Sequence, residues 1–418
     1  MNHMKQMAAI GLLSSAAAFA AQAQVDLFYP TTKTVEGLQA KSTVIQAMQA
    51  NDSVEYIETI GLNVAALQAD NRSLTLNFAA DLQLDTQQID TYAIDDEAYA
   101  WVGEIDLGMN KALKPIDDPS VINPHQAVFM VHGDRVFGQI IIDDLVYEIR
   151  TLEAGGEYLL MKRDFSVLSH ADDTPKDQFP IDWDSPKSLE PLAQTKAASN
   201  VVDVIQLITD QAIDDAGGVS SAVDAMRFFI TQSNQVYSNN RLDLEMRNAG
   251  LYRAGAELNT SSTNMLSRLR RTNDGYLDNV PGSLRNQTGA DLVVLVTTTL
   301  RNQGLCGQAD AIGASQGRAF FLVDHDCTNF TFVHEAGHLF GARHDNDPNT
   351  TPFSYGHGFV SVPGNFRTVM AVSSNPQPRI AGFSTPNLTF GGRPIGTASF
   401  SDNSRVHAVR ASTVAGFR

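Results

Sequence analysis

The stretch Phe332 to Asp345, FVHEAGHLFGARHD, constrains this chain more than any other. His334 and His338 stand four apart, so a helix carries them on one face, a turn apart. Such a pair can present two imidazole nitrogens to a single metal ion. Glu335 sits beside the first histidine, where its carboxylate can reach a water without being a ligand itself. Gly341 lacks a Cβ and can end the helix in a backbone conformation costly for other residues. The turn it permits brings His344 back as a third ligand. Three neutral imidazoles leave one position of a tetrahedral zinc (Zn2+) open to water, as in a catalytic site; structural zinc is usually closed by four ligands, often Cys. A lone HExxH arises easily by chance, whereas HExxHxxGxxH fixes five positions over eleven residues.

The N-terminus, MNHMKQMAAIGLLSSAAAFAAQAQ, reads as an export signal. Lys5 supplies a positive n-region, Met7 to Ala20 is mostly apolar, and Ala21-Gln22-Ala23 is a small-x-small cleavage signature. Residues 1–23 are therefore expected to be a cleaved signal peptide, with the protein secreted. The alternative, a membrane anchor, needs about 20 apolar residues, more than this run has. Leu292 to Leu300 is short and β-branched and reads as a buried strand, so no membrane span is expected. In an exported chain, two cysteines, Cys306 and Cys327, favour one disulfide. Closing that loop is worth about 3 kcal/mol in the chain-entropy model. A thiolate metal site is the other possibility, but this spacing matches no usual zinc pattern.

Charge divides the chain of 418 residues. Residues 24–199 hold 29 acidic and 12 basic residues, whereas 200–418 hold 18 and 17, and every basic residue there is Arg. The net charge of −17 argues against a nucleic-acid partner, which needs clustered cations. Residues 24–195 read as a β-rich acidic domain. In it Leu74, Leu76 and Phe78 alternate, Val136–Ile142 and Leu145–Ile149 read as strands parted by Asp143-Asp144, and Gly155-Gly156 marks a turn before Tyr158–Met161. Its histidines, His125, His132 and His170, are scattered. A linker near 171–199, with Pro175, Pro180, Pro186 and Pro191, leads to the second domain, 200–418. There Val201–Ile208 reads as a strand. Val219–Tyr237 reads as a helix with an apolar stripe of Val223, Met226, Phe229, Ile230 and Val236. Leu292–Thr297 and Arg318–Val323 read as further strands, an α/β order.

The zinc-binding stretch resembles that of metzincins, and the following Asp345 resembles the reprolysin (adamalysin) branch. Similarity to bacterial secreted peptidyl-Asp metalloendopeptidases extends over most of Val201 to Arg418, with further matches at DGYLDNV (Asp274–Val280), GADLVVLV (Gly289–Val296), DNSRV (Asp402–Val406) and the terminal AGFR. The resemblance implies an α/β metzincin domain: a mixed twisted sheet with an active-site helix and a C-terminal helix, preceded by a β-rich propeptide domain. It implies that Met370, 26 residues beyond His344, forms an apolar floor beneath the imidazoles, though a lone Met is more often ordinary core. Astacins and serralysins have a Tyr shortly after this Met; here Ala371-Val372-Ser373-Ser374 follows, so no tyrosine contribution is expected.

The expected activity is secreted zinc-dependent hydrolysis of protein or peptide substrates, with Glu335 as general base. In metzincins the edge strand before the active-site helix pairs with substrate, which here points to Arg318, Ala319, Phe320 and Phe321. Peptidyl-Asp enzymes prefer an acidic side chain just after the scissile bond, and Arg suits a carboxylate. Arg367, Arg379 and Arg393 flank the Met-turn, although each alone reads more readily as a surface charge than as a pocket base. The first domain is expected to be an inhibitory propeptide. It has no Cys to ligate zinc, but Asp172, Asp173, Asp177, Asp182 and Asp184 offer carboxylates, unless they only solvate the linker. A permanent binding module, a non-catalytic binding or adhesion protein on this fold, and a narrow cell-wall peptide amidase remain as alternatives.

Overall fold

The computed structural model describes residues 25–79, 82–107, 120–152, 156–167, 200–372 and 374–418. The expected signal peptide, the 171–199 linker with its aspartates and the boundary near 195, Gly155, His170 and Ser373 lie outside these residues.

The N-terminal half is built on strands. They are β1 (Val25–Asp26), β2 (Phe28–Tyr29), β3 (Val54–Leu62), β4 (Ser73–Ala79), β5 (Leu82–Ala93) and β6 (Tyr99–Asp106). After β7 (Val121–Ile122) come β8 (Gln126–His132), β9 (Arg135–Ile142), β10 (Leu145–Thr151) and β11 (Tyr158–Arg163). Ten of them form one sheet in the order β1-β4-β5-β6-β8-β9-β10-β11-β3-β2. β1 and β2 flank Leu27 in sequence and pair with β4 and β3, so the chain start joins the sheet at both ends. Period-2 alternation turns Leu74, Leu76 and Phe78 inward, onto a core with Trp101 and Phe129. Asp143 takes a left-handed φ of 56° at the β9–β10 turn, a conformation Asp tolerates better than most residues. Two short helices, α1 (Val35–Gln39) and α2 (Thr43–Gln49), are each capped by a hydroxyl, from Thr34 and Ser42.

The C-terminal half follows the expected α/β order. Its strands are β12 (Asn200–Thr209), β13 (Leu244–Gly255), β14 (Leu292–Thr297), β15 (Gly307–Ala309) and β16 (Phe320–Asp324). They form a mixed sheet, β13-β12-β14-β16-β15, parallel except for β15. Its helices are α3 (Asp210–Asp215), α4 (Val219–Asn239), α5 (Ser262–Leu269), α6 (Arg285–Thr288), α7 (Thr331–Phe340) and α8 (Asn403–Val414). Short pairs β17 (Val360–Ser361) with β18 (Phe366–Arg367), and β19 (Thr389–Phe390) with β20 (Arg393–Pro394), brace the loops after α7. Among the described residues, no helix is long and apolar enough to cross a membrane.

One expectation is overturned here. The Arg318–Val323 stretch is not an edge: Phe320–Asp324 lies inside the sheet, parallel to β14 on one side and antiparallel to β15 on the other. Arg318 belongs to a short 3-10 turn and pairs with Asp310 at 2.6 Å. The edge is Gly307–Ala309, a reversal of the chain that places β15 outside β16.

α4 joins the halves. One face, with Ala222, Met226, Phe229 and Ile230, is buried in the C-terminal core, where Phe229 stacks on Phe332 with centroids 5.5 Å apart. The opposite face packs on β8 and β9 of the N-terminal sheet. There Phe228 stacks on Phe137 at 4.3 Å in an apolar cluster that also takes in Val102, Val128 and Met130, and polar side chains lie beside it. Gln232 donates to Gln139, Gln235 and Asn239 to Gln126, and Asp224 pairs with Arg135.

Candidate active site

α7 supplies the first half of the site. His334, Glu335 and His338 are all buried within it, and Gly341 ends it with φ 112°. The N–H groups of Gly313 and Ala314 donate to the last-turn carbonyls of His338 and Leu339 at 2.8 Å, answering a need common to helix ends. Beyond Gly341 the chain turns back and His344 meets the other two rings. Its Nε2 lies 3.2 Å from that of His334 and 3.1 Å from that of His338. The three form a cluster able to hold a metal ion.

The tautomers follow from the far ring nitrogens. His334 Nδ1 lies 2.8 Å from the Val369 carbonyl, and His338 Nδ1 lies 2.8 Å from that of Ala342. A carbonyl only accepts, so each Nδ1 carries the proton and each Nε2 turns a lone pair toward the common centre. Converging lone pairs repel unless a cation lies among them. With Zn–N bonds of about 2.0–2.1 Å, tetrahedral ligands stand roughly 3.3 Å apart, close to the spacing found here.

Glu335 is fully buried on the same helix. Gly307 of the edge strand comes so close that a Cβ there would lie 2.6 Å from the Glu335 Cδ. Cys306, immediately before Gly307, is bonded to Cys327 just before α7, which ties the edge strand to the helix carrying Glu335. The disulfide expected from the cysteine count is thus present.

Met370 is buried in a tight turn in which the Ala371 N–H donates to the Thr368 carbonyl. A Cβ on Gly337 would lie 2.7 Å from the Met370 sulfur, so the thioether packs directly on α7 between the two histidines of that helix. Asp345 accepts from the Val372 N–H at 3.0 Å and from Asn375 at 3.2 Å, binding the residue after His344 to the segment after Met370.

Arg367 and Arg379 form adjoining walls of a 590 Å³ cavity. Arg367 donates to the Ala371 carbonyl at 2.7 Å and Arg379 to that of Asn329 at 2.8 Å. Asp143, Asp144 and Asp164 of the N-terminal half line the same cavity. Arg393 is elsewhere, on the exposed β19–β20 hairpin. His125 and His132 stay apart, each 3.7 Å from a carboxylate, of Asp143 and Glu97.

Several supporting residues escaped the sequence reading. Gly307 and Gly337 are close-approach positions, a signal available only as glycines inside otherwise regular segments. Arg343, almost fully buried, pairs with Asp347 at 2.5 Å and steadies the turn that returns His344. His407 of α8 stacks on Phe383 and Phe340 behind Gly337, and burial pushes its pKa down to about 4, so it packs as a neutral ring. Asp326 lies in the loop before α7. Burial raises its pKa, but Arg163, His325, Arg150 and Arg301 outweigh that and hold it at about 2.

The histidine site and its sequence relatives support a metzincin-like metalloprotease. Residues 198–384 match the reprolysin-type family described as Metallo-peptidase family M12, which implies a bound metal. The chain is 29% identical to the peptidyl-Asp metalloendopeptidase of Stenotrophomonas maltophilia (strain R551-3), over 98% of this chain and 97% of that one. It is 28% identical to the enzyme of the same name from Xanthomonas campestris pv. campestris, over 98% of each chain. By this kinship the protein is a metalloendopeptidase. Among solved structures, metalloproteinase-II from Bacteroides fragilis aligns over 75% of this chain and 89% of its own, at 11% identity and a TM-score of 0.39.

Proposed function

We propose that this protein is a secreted, zinc-dependent endopeptidase made as a zymogen. The observation that carries the reading is the convergence of three imidazole Nε2 atoms beside a buried glutamate. His334, His338 and His344 would hold the ion, and neutral imidazoles suit zinc. A zinc ion held there would supply Lewis acidity, enough to bring the pKa of water to about 7 and to polarise a peptide carbonyl. Glu335 takes a proton from the attacking water and delivers it to the leaving amine. Gly307 leaves the room in which its carboxylate swings between the two. Met370 floors the histidines, and Asp345 keeps that floor in register with His344. An extended substrate pairs with β15, the outer strand, rather than with Phe320–Phe321.

The N-terminal domain, up to a boundary near residue 195, is the inhibitor. Its contact with α4 supports this, because that face of the helix carries Asp224, Arg227, Gln232, Gln235 and Asn239. Such side chains can exchange their partners for water when the domain leaves, so the apolar part newly exposed on the helix centres on Phe228. The acidic residues it sets across the cavity from Arg367 and Arg379 fit the same role. Those arginines, and the names of the relatives, support a preference for an acidic residue just after the scissile bond. The signal-like N-terminus supports secretion.

Casein hydrolysis by the processed protein tests the assignment. Glu335→Ala is expected to lower the rate about 10²–10⁴-fold. Chelation should abolish activity and added zinc restore it. Unchanged hydrolysis by the variant overturns the role of Glu335. In a peptide library, equal cleavage before Asp and before Leu removes the acidic preference.

A further inference from the structure

The two halves also meet beside the C-terminal end of α4, along a strand, where Asn239 of the helix donates to the Ala381 carbonyl at 2.8 Å. β7 of the N-terminal half pairs in parallel with β19, Val121 against Thr389 and Ile122 against Phe390. The Thr389 N–H donates to the Ser120 carbonyl at 2.8 Å. Ile122, 3% exposed, fills a pocket formed by Phe366, Ile380, Leu388 and Ile395 of the C-terminal half. The fit depends on Gly382, where a Cβ would lie 2.9 Å from the Ile122 Cδ1. A strand edge beside an apolar pocket is a general means of gripping extended peptides: the backbone supplies affinity, and the pocket selects a side chain.

This pocket adjoins the catalytic region. Phe366, in its wall, precedes Arg367, whose guanidinium reaches the Ala371 carbonyl in the Met-turn segment. The Ile380 N–H donates to the Arg367 carbonyl at 2.8 Å, so one pair of strands faces both the pocket and the Arg-walled cavity.

We propose that the β19 edge and the Gly382 pocket form a second peptide-binding site. It takes an extended segment with a branched aliphatic side chain. Ser120–Asn123 occupies it in the full chain, and a stretch of a protein substrate occupies it once the N-terminal domain has left. The proposal rests on the zymogen reading. Short substrates that span only the catalytic cleft do not reach the site, whereas folded or long substrates gain from it.

The test uses the full chain carried through its own processing, with cleavage followed by gel and mass. The probe is the heptapeptide SVINPHQ, residues 120–126. It is expected to slow casein hydrolysis at least 5-fold at saturation while leaving hydrolysis of a short chromogenic peptide unchanged. The same peptide carrying Ile122→Asp should do neither. No effect on casein, or equal inhibition of both substrates, overturns the second site. In the full chain, Ile122→Asp should hasten separation of the N-terminal domain without altering the rate of the processed enzyme on short peptides; unaltered separation counts against the proposal. Failure of the zymogen reading shows differently. The chain with its N-terminal domain still attached would hydrolyse casein at full rate, and the Ile122 contact would then be a permanent internal one.

Discussion

The two long faces of α4 are both buried, yet they are made of different chemistry. Toward the C-terminal core the helix presents Ala222, Met226, Phe229, Ile230 and Val236. Toward the N-terminal sheet it presents Asp224, Gln232, Gln235 and Asn239 beside Phe228, which packs with Val128, Met130 and Phe137 in a shared apolar cluster. Apolar burial cannot be undone without exposing oil to water, whereas hydrogen bonds between amides are exchanged for hydrogen bonds to solvent at small net cost. The inner face is therefore wholly core, whereas the outer face mixes an apolar patch with amide contacts that water can replace. Burial alone does not distinguish the two.

The sharpest way to break this comparison is to truncate one ring on the inner face. Phe229→Ala is expected to cost about 3–5 kcal/mol, because Phe229 is nearly fully buried against Phe332 and leaves a cavity. Phe332 stands two residues before His334, so the loss should also weaken metal retention. Urea unfolding with metal analysis of the folded fraction checks both. A shift below 1 kcal/mol would mean that the inner face is not core in the sense argued here.

How much of this was legible beforehand varies by element. β14 was readable to the residue, since Leu292–Thr297 is an apolar, β-branched run entered through Gly289. The α7 histidines were readable because a fixed helical period converts spacing into geometry. The edge strand was not, because Gly307-Gln308-Ala309 carries no strand pattern and pairs with β16 only through a chain reversal anchored by the disulfide. The outer face of α4 was equally hidden. A run such as Thr231-Gln232-Ser233-Asn234-Gln235 reads as solvated surface, and only a second sheet laid over it shows otherwise. Val223, placed on the apolar stripe by period, is half-exposed for the complementary reason: it lies at the margin between the faces.

A third site of contact between the halves carries charge, and Asp326 there sets the sign of a pH response. Arg163 of β11 lies 3.2 Å from Asp326, and Arg150 of β10 lies 3.8 Å from it. Asp326 is held at about 2, below its ordinary value of 3.8, so its folded-state pKa is depressed. A carboxylate of that kind stabilises the docked form above the ordinary value, and the contribution is lost as pH falls through about 2. The Asp326 contribution to docking should therefore persist at pH 5 and be lost between about pH 4 and 2. Arg163→Ala is expected to cost about 3 kcal/mol, since it strips one partner from a buried charge, and to move the acid transition upward. Acid titration of the full chain, followed by the accessibility of the linker to an added protease, measures both. A transition at the same pH in the variant would show that the pair does not fasten the halves.

The smallest expected effect lies on the polar face itself. Gln232 donates to Gln139 at 3.0 Å and to the Thr328 carbonyl at 2.6 Å, so it touches both the N-terminal sheet and the loop before α7. Gln232→Ala should weaken the contact by about 1 kcal/mol, the net worth of an ordinary hydrogen bond, and leave the processed enzyme's rate on short peptides unchanged. Gln232→Leu separates the two faces more cleanly. An apolar side chain there would still fill the space in the docked form, but after separation it would add exposed oil to the helix. The full chain should tolerate it within about 1 kcal/mol, while the processed form should become prone to self-association, visible by light scattering. A processed Gln232→Leu enzyme as soluble as the parent would mean that the polarity of this face is not what allows the halves to part.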